Sequence, residues 1–339
     1  TLSLHDALPI SPSGLWADVL LPVSTHFERH DVALPWYKGH YYIHRPKTIE
    51  PLGESKTDFQ IFTELAWRIG GETFGRAYNP KAGRDYFKHN DAVDEAYLRE
   101  WWEHKVMHHQ HVDMSWEDFK KHGVYKFKLD KPHVGFREQI EDGKPFETPS
   151  GKIEILCSEL ASIHDWTKTK YGRHIPSIPK WIEPSEFLNS PKTKEFPFHL
   201  ISPHPRHRTH SIFNNCTWLK EAFEQECTIN AGDAKRLGIK TGDTVEVWNK
   251  RGKVVVPAYV TERVLPGVLV IHEGAWMDLD ENGVDRGGNP DFLTLDEPSP
   301  AGAFTYNNAL VNIRKTDLEH RPGWDTAATS RSHVFRRDY

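Results

Sequence analysis

Between Phe198 and Arg314 the chain breaks into six short apolar runs separated by polar turns, and this succession constrains its fold more than any other feature. The runs are Phe198–Ile201, Cys227–Ile229, Asp243–Asn249, Lys253–Val260, Val268–His272 and Ala309–Arg314. Within them Glu246 and Lys253 alternate with Val245, Val247 and Val254, the two-residue period of a half-buried strand. Asn249-Lys250-Arg251-Gly252 joins two runs as a hairpin, with Gly252 available for a positive φ. A short helix is predicted over Gly232–Leu237, capped by Asn230 and stopped by Gly238. Several short strands with only brief helices predict a closed β-barrel rather than an open sheet.

The first strand leads straight into Ser202–Asn215, where residues 204–211 hold three histidines, two arginines and two hydroxyls. A strand that ends in a turn so rich in donors suits an anionic or hydrogen-bonding ligand. His204 and His207 read equally well as exposed loop residues.

Composition sets wider limits. The chain's 339 residues are enough for two domains, and its net charge of -5 gives no general reason to expect nucleic acid. Mean hydropathy is -0.64, and no apolar run nears the ~20 residues of a membrane-spanning helix. The three cysteines, Cys157, Cys216 and Cys227, lack CxxC spacing and make neither a disulfide framework nor a zinc or iron–sulfur site.

Upstream of the barrel the signals are more varied. Thr1–Ile10 matches one reading frame of a widely used short-read sequencing adapter and is set aside as non-native, so the natural protein is expected to extend upstream. Leu15–Pro22 reads as a buried parallel strand, followed by a loop carrying Ser24, Thr25, Glu28 and Asp31. Thr57–Ile69 predicts a helix with Phe59, Phe62, Leu65, Ala66 and Ile69 inward and Gly70-Gly71 as its stop. Asp91–Met107 predicts a second helix, and Ser115 with Asp118 caps a third that ends at Gly123.

His104 and His108 share a helical face at a spacing zinc can use, but a third ligand and supporting carboxylates would be needed and only Glu103 and Asp113 lie nearby, so they read as a solvated face. Tyr125–Pro149 reads as irregular chain, and Thr148–Lys152 as a turn into a strand at Ile153–Leu156. The proline-rich stretch Tyr171–Glu195 marks a domain boundary near residue 195.

Four of these stretches carry a family likeness. Ala17-Asp18-Val19-Leu20-Leu21-Pro22 with Glu28 and Thr57-Asp58 resembles the signature of molybdopterin oxidoreductases of the dimethyl sulfoxide reductase family. Thr148-Pro149-Ser150-Gly151-Lys152-Ile153-Glu154 is similar to another recurring element of that family. Asn230–Ile239 with Gly242, Asp243 and Val245 resembles the core of its molybdopterin dinucleotide-binding domain. Within the family, Ser202–Ser211 and Glu273–Trp276 look most like the anaerobic dimethyl sulfoxide reductase A-subunit branch.

The resemblance implies an α/β segment followed by a mostly-β, double-psi-barrel-like domain. Residues 11–147 would close an upstream α/β domain, 148–194 would connect, 195–316 would be the barrel, and 317–339 an extension. It implies molybdenum or tungsten held between two molybdopterin guanine dinucleotides, with a 4Fe–4S cluster and the metal ligand upstream of this chain. No catalytic residue and no metal ligand is therefore assigned here, and the chain alone is expected to be inactive.

Carried over position by position, the likeness makes Arg206, Arg208, Thr209, His210 and Ser211 a cofactor clamp, in which the two guanidinium groups suit pyrophosphate. Glu273, Gly274 and Trp276, then Asn289 and Thr294, then Tyr306 and Asn307 match further cofactor-facing loops, with Ser24 contributing from the α/β segment. Trp276 serves equally as a packing anchor, and Asn289 and Asn307 as turn formers.

The activity implied is oxygen-atom transfer from an S-oxide or N-oxide. An iron–sulfur electron-transfer subunit is the implied partner, a membrane-anchor subunit is compatible with it, and export to the periplasm remains an open expectation. The alternatives are a tungsten or molybdenum hydratase or a phenol transhydroxylase of the same family, or a stand-alone nucleotide-binding barrel.

Overall fold

The computed structural model describes residues 14, 17–35, 39–78, 91–132, 134–169, 172–299, 302–303 and 307–321. The segment 1–10, Leu15, Trp16, Tyr306 and the extension beyond Arg321 lie outside the described residues. Residues 18–144 form one compact unit and the chain from Pro145 onward another.

The first unit is built on aromatic side chains. Strands β1 (Asp31–Ala33), β2 (Tyr41–Arg45) and β3 (Val124–Lys126) form an antiparallel sheet in that order. The alternation along β2 turns Tyr42 and His44 inward. Helix α1 (Asp58–Tyr78) starts at a reciprocal cap: Thr57 Oγ1 accepts from the Gln60 N–H at 3.1 Å, and Gln60 Oε1 from the Thr57 N–H at 3.0 Å.

The helix breaks at Gly71 (φ 61°) but resumes beyond it, so the glycine pair interrupts rather than ends it. Its buried face carries Thr63, Ala66 and Trp67, while Phe62 and Ile69 are exposed. Of the expected inner face, Ala66 is buried and Phe59 and Leu65 are half-buried, whereas Phe62 and Ile69 fall outside it.

Helix α2 (Asp91–Trp101) runs into a π-helical turn, Trp102–Met107, and α3 (Trp116–His122) follows, capped by Ser115 and Gly123 as expected. Trp102 and Phe119 stack with ring centroids 3.9 Å apart, and Trp102 Nε1 donates to the Met114 carbonyl at 2.9 Å. His104 and His108 are exposed, in keeping with a solvated face. The stretch 125–149 is not wholly irregular: it contains the end of β3 and a short helix at Arg137–Ile140.

Two expected strands are absent among the described residues. Leu20 and Leu21 are more than half exposed and carry no ladder, and Val23 makes only an isolated bridge to Lys56. Ile153 and Ile155 are each 75% exposed, also without strand pairing. An apolar run becomes a strand only where a neighbour satisfies its backbone groups along its length, and the first run is met only at its end, where the Pro22 carbonyl accepts from the Lys56 N–H at 3.2 Å.

The second unit contains the barrel. Its strands are β4 (Phe198–Ile201), β5 (Cys227–Asn230), β6 (Thr244–Trp248), β7 (Lys253–Thr261), β8 (Val268–Ile271) and β9 (Ala309–Lys315). They close in the order β4-β8-β5-β7-β6-β9, with β4/β8 and β5/β7 parallel and the other pairs antiparallel. Alternate residues such as Phe198, Leu200, Val245, Val247, Leu269 and Ile271 fill the interior.

Helix α4 (Thr217–Ala222) precedes β5, and α5 (Ala231–Leu237) follows it. Asn230 Oδ1 accepts from the Gly232 N–H at 2.8 Å, and Gly238 (φ 68°) ends α5. Gly252 does not adopt a positive φ. A Cβ there would stand 2.8 Å from the Phe292 carbonyl oxygen, so this glycine is required by a crossing chain rather than by the turn. Among the described residues no helix is long and apolar enough to cross a membrane.

Candidate cofactor-binding site

Strand order brings the candidate loops to one end of the barrel. β4 and β8 are parallel neighbours with Ile201 opposite Val270, so the segments leaving them, at Ser202 and His272, emerge side by side. β9 is antiparallel to β4 with Ala309 opposite Leu200, which sets the residues just before β9 at the same end. Asn307 seals this corner, its Oδ1 accepting from the Ser202 N–H at 2.8 Å.

A cleft of about 790 Å³ opens there, lined by Ser202, Pro203, His204, His210, Arg251, Glu273, Asp291, Phe292, Thr294, Leu295, Asp296 and Asn307. Of the sequence-derived candidates, His210, Glu273, Thr294 and Asn307 therefore share one cavity.

Glu273 organises the rim. Its Oε1 lies 2.7 Å from His204 Nδ1 and its Oε2 3.1 Å from His210 Nδ1. The ligand atoms of these three residues lie within 4.8 Å of one another, a grouping that could also hold a divalent cation. Asp291 lines the same cleft, and loss of water contact and then the Glu273 charge push its carboxyl above its ordinary value.

Other candidates work behind the wall. Arg208 is buried, with Nη1 donating to Asn214 Oδ1 at 3.2 Å and Nη2 to Gln225 Oε1 and the Glu273 carbonyl, each at 2.8 Å. Burial lowers it to about 10, so it stays charged at neutral pH while bolting three segments together.

Gly274 (φ 83°) passes so close to His210 that a Cβ would lie 2.0 Å from the His210 carbonyl oxygen. Trp276 is buried and donates from Nε1 to the Ser211 carbonyl at 2.9 Å, the packing-anchor role. Asn289 caps a 3-10 turn at Pro290–Phe292, and its N–H is accepted by Asp285 Oδ2.

Arg206, Thr209 and Ser211 are exposed residues that do not line the cleft. His207 is half-buried and stacks on Phe223 at 4.6 Å; burial, then Arg208 and His272, lower it to about 4, so it is neutral. Ser24 lies in the other unit, buried, with its Oγ lacking a partner among the described residues.

Sequence reading missed Ser202, Arg251, Asp291, Leu295 and Asp296 as cleft residues and set His204 aside. Arg251 sat in a recognised hairpin turn and Asp291 in a recognised loop, but only the strand order aims them at the cleft.

The residues present fit a pterin dinucleotide. The buried Ser202 Oγ and Arg208 Nε have no hydrogen-bond partner among the described residues, leaving polar capacity beside the cleft. Carboxylates at Glu273 and Asp291 match the N–H edges of pterin and guanine, while His204, His210 and Asn307 bring side chains able to donate to oxygens.

A family model for the Molydopterin dinucleotide binding domain matches residues 198–309, the barrel that carries this cleft. Dimethyl sulfoxide reductase DmsA of Escherichia coli (strain K12) is 36% identical over 317 residues, covering 90% of this chain and 37% of that protein. The chain belongs to the dimethyl sulfoxide reductase family of molybdopterin oxidoreductases.

Another relative, trimethylamine-N-oxide reductase of Pasteurella multocida (strain Pm70), is 34% identical over 321 residues, covering 88% of this chain and 36% of that protein. The chain thus spans a little over a third of the length of the curated relatives it matches. Among solved structures, acetylene hydratase from Pelobacter acetylenicus superposes with a TM-score of 0.65 at 21% identity, over 90% of this chain and 39% of that one. That likeness concerns the fold alone, an α/β segment followed by a mostly-β barrel.

Proposed function

We propose that this chain is the C-terminal part of a molybdenum-dependent catalytic subunit that reduces an S-oxide or N-oxide in anaerobic respiration. Its own task is to hold one side of a molybdopterin guanine dinucleotide. The observation that carries the reading is the cleft itself, formed by the loops after β4 and β8 within a chain 36% identical to a dimethyl sulfoxide reductase.

His204, His210 and Asn307 would orient the cofactor through oxygens at its edge, and Glu273 and Asp291 would accept from its ring N–H groups. Phe292 and Leu295 would exclude water from the ring face. When bound, the cofactor supplies the two-electron redox chemistry, and the protein positions it and tunes its electrostatics.

A second dinucleotide, a 4Fe–4S cluster and the metal ligand would come from other parts of the subunit. Electrons would arrive from an iron–sulfur partner, with the complex periplasmic or membrane-associated.

Metal and pterin analysis of the purified enzyme, with oxide-reduction assays, tests this reading. About one molybdenum and two guanine nucleotides per subunit is the expected result. Tungsten with hydratase activity and no oxide reduction would replace it. His204→Ala and His210→Ala test the clamp: unchanged cofactor retention in both variants would remove these residues from it.

A further inference from the structure

Glu186 lies outside the matched dinucleotide-binding domain, in the proline-rich connecting stretch, yet it reaches into the barrel. It is 4% exposed. Its Oε1 and Oε2 accept from Arg251 Nη1 and Nη2, each at 2.8 Å, the bidentate geometry of a guanidinium–carboxylate pair. Oε2 also accepts from the Leu310 N–H at 2.9 Å, at the start of β9, and Oε1 from Lys192 Nζ at 2.9 Å.

Arg251 in turn donates to the Leu293 carbonyl from Nε at 3.1 Å and from Nη2 at 2.7 Å. That carbonyl also accepts from Asn249 Nδ2 at 2.8 Å. The Leu293 side chain is fully buried in the barrel core, while Asp291, Phe292, Thr294, Leu295 and Asp296 around it face the cleft. Gly252 lets the Phe292 backbone lie directly on the hairpin. One wall of the cleft therefore hangs on Leu293, and Leu293 hangs on Arg251 together with Asn249.

A guanidinium held by one carbonyl has many orientations; a buried carboxylate that grips both terminal nitrogens leaves one. We propose that Glu186 is a positioning residue of the cofactor cleft, fixing the 291–296 wall through Arg251. Without it Arg251 is released toward the acidic groups Asp291 and Asp296, and the wall keeps only the Asn249 bond to the Leu293 carbonyl as a fixed anchor. This rests on the reading that the cleft takes a molybdopterin dinucleotide.

The test uses the enzyme purified with its cofactor, comparing wild type with Glu186→Gln, Arg251→Lys and Lys192→Ala. Two quantities are read at a temperature where circular dichroism shows every variant folded: the rate of pterin dinucleotide release and amide hydrogen exchange. In E186Q and R251K, release is expected to be about tenfold faster. The Leu293 and Thr294 amides, bonded to Pro290 and Asp291 carbonyls, are expected to exchange faster by a similar factor while β4 and β8 do not change.

Lys192→Ala keeps the Arg251 contact and is expected to match wild type in both. Wild-type release and exchange in E186Q, or equal acceleration in E186Q and K192A, would overturn the proposal. Absence of pterin dinucleotide from the wild-type enzyme would sink the functional reading itself, and exchange at Leu293 and Thr294 would still decide whether Glu186 anchors the wall.

Discussion

The His210 carbonyl oxygen lies 2.0 Å from the place where a Cβ on Gly274 would stand. The two loops that form the rim thus meet backbone to backbone, with Gly274 at φ 83° and His210 itself in the left-handed region at φ 52°. Gly274→Ala must both strain its own backbone and push His210 away. A loss of more than about 3 kcal/mol is expected, read as a drop in the urea midpoint. A stability within error of wild type would show that the rim loops do not pack in this way.

Two carboxyls of the barrel unit should give stability opposite dependences on pH. Burial, then Glu224, push Glu226 up to about 7. Its folded-state pKa exceeds the ordinary ~4.3, so its contribution is present below that value and fades as pH rises through about 7.

For Glu186 burial works the other way, but the Arg251 bond, the Leu310 N–H and Lys192 prevail and hold it at about 2. Its contribution is present above ~4.3 and is lost as pH falls through about 2. Urea titrations should show Glu226→Gln gaining on wild type at about pH 8 but not at about pH 4. Glu186→Gln should be weaker at neutral pH and converge with wild type in strong acid.

Asn249 ties the β6–β7 hairpin to two carbonyls, Leu293 at 2.8 Å and Leu310 at 3.2 Å. Both bonds are buried, so Asn249→Ala removes a donor from the Leu310 carbonyl and leaves the Leu293 carbonyl to Arg251 alone, which should cost about 1–3 kcal/mol. Calorimetry of the variant measures it; a neutral effect would mean that water enters the hairpin freely.

In the first unit the Trp102–Phe119 stack is the centre of the aromatic core. Trp102→Ala should cost about 3–5 kcal/mol, because the surrounding rings cannot close a cavity of that size. Trp102→Phe should lose less. Comparable melting temperatures for Trp102→Ala and wild type would contradict the packing described.

The barrel was legible because its strands alternate and its turns carry specific residues. Asn230 and Gly238 bracket α5, and Ser115 and Gly123 bracket α3, through local bonds that a sequence can display. Continuous apolar runs display no partner, which is why Leu15–Pro22 and Ile153–Leu156 read as strands and are not among the described ones.

Glycine is ambiguous in the same way. At Gly252 the need is for a close crossing by Phe292, and sequence alone does not separate that from a positive φ. The site was half legible. His210, Glu273, Thr294 and Asn307 come together from recognised loops, whereas Arg251 and Asp291 reach the cleft through strand order, a property of distant pairings. Arg208 turned inward because Asn214, Gln225 and the Glu273 carbonyl together satisfy a buried cation.

β9 pairs with β4 on one side and β6 on the other. A growing chain can fold β5 to β8 early, but the ring stays open at the β4 and β6 edges until β9 has been synthesised. Asn307 and the Leu310 N–H, which brace the cleft, arrive at the same late moment. A ligand that needs these braces therefore cannot be held until β9 has been made, and a nascent chain stalled short of residue 309 presents two unpaired edges to chaperones or aggregation.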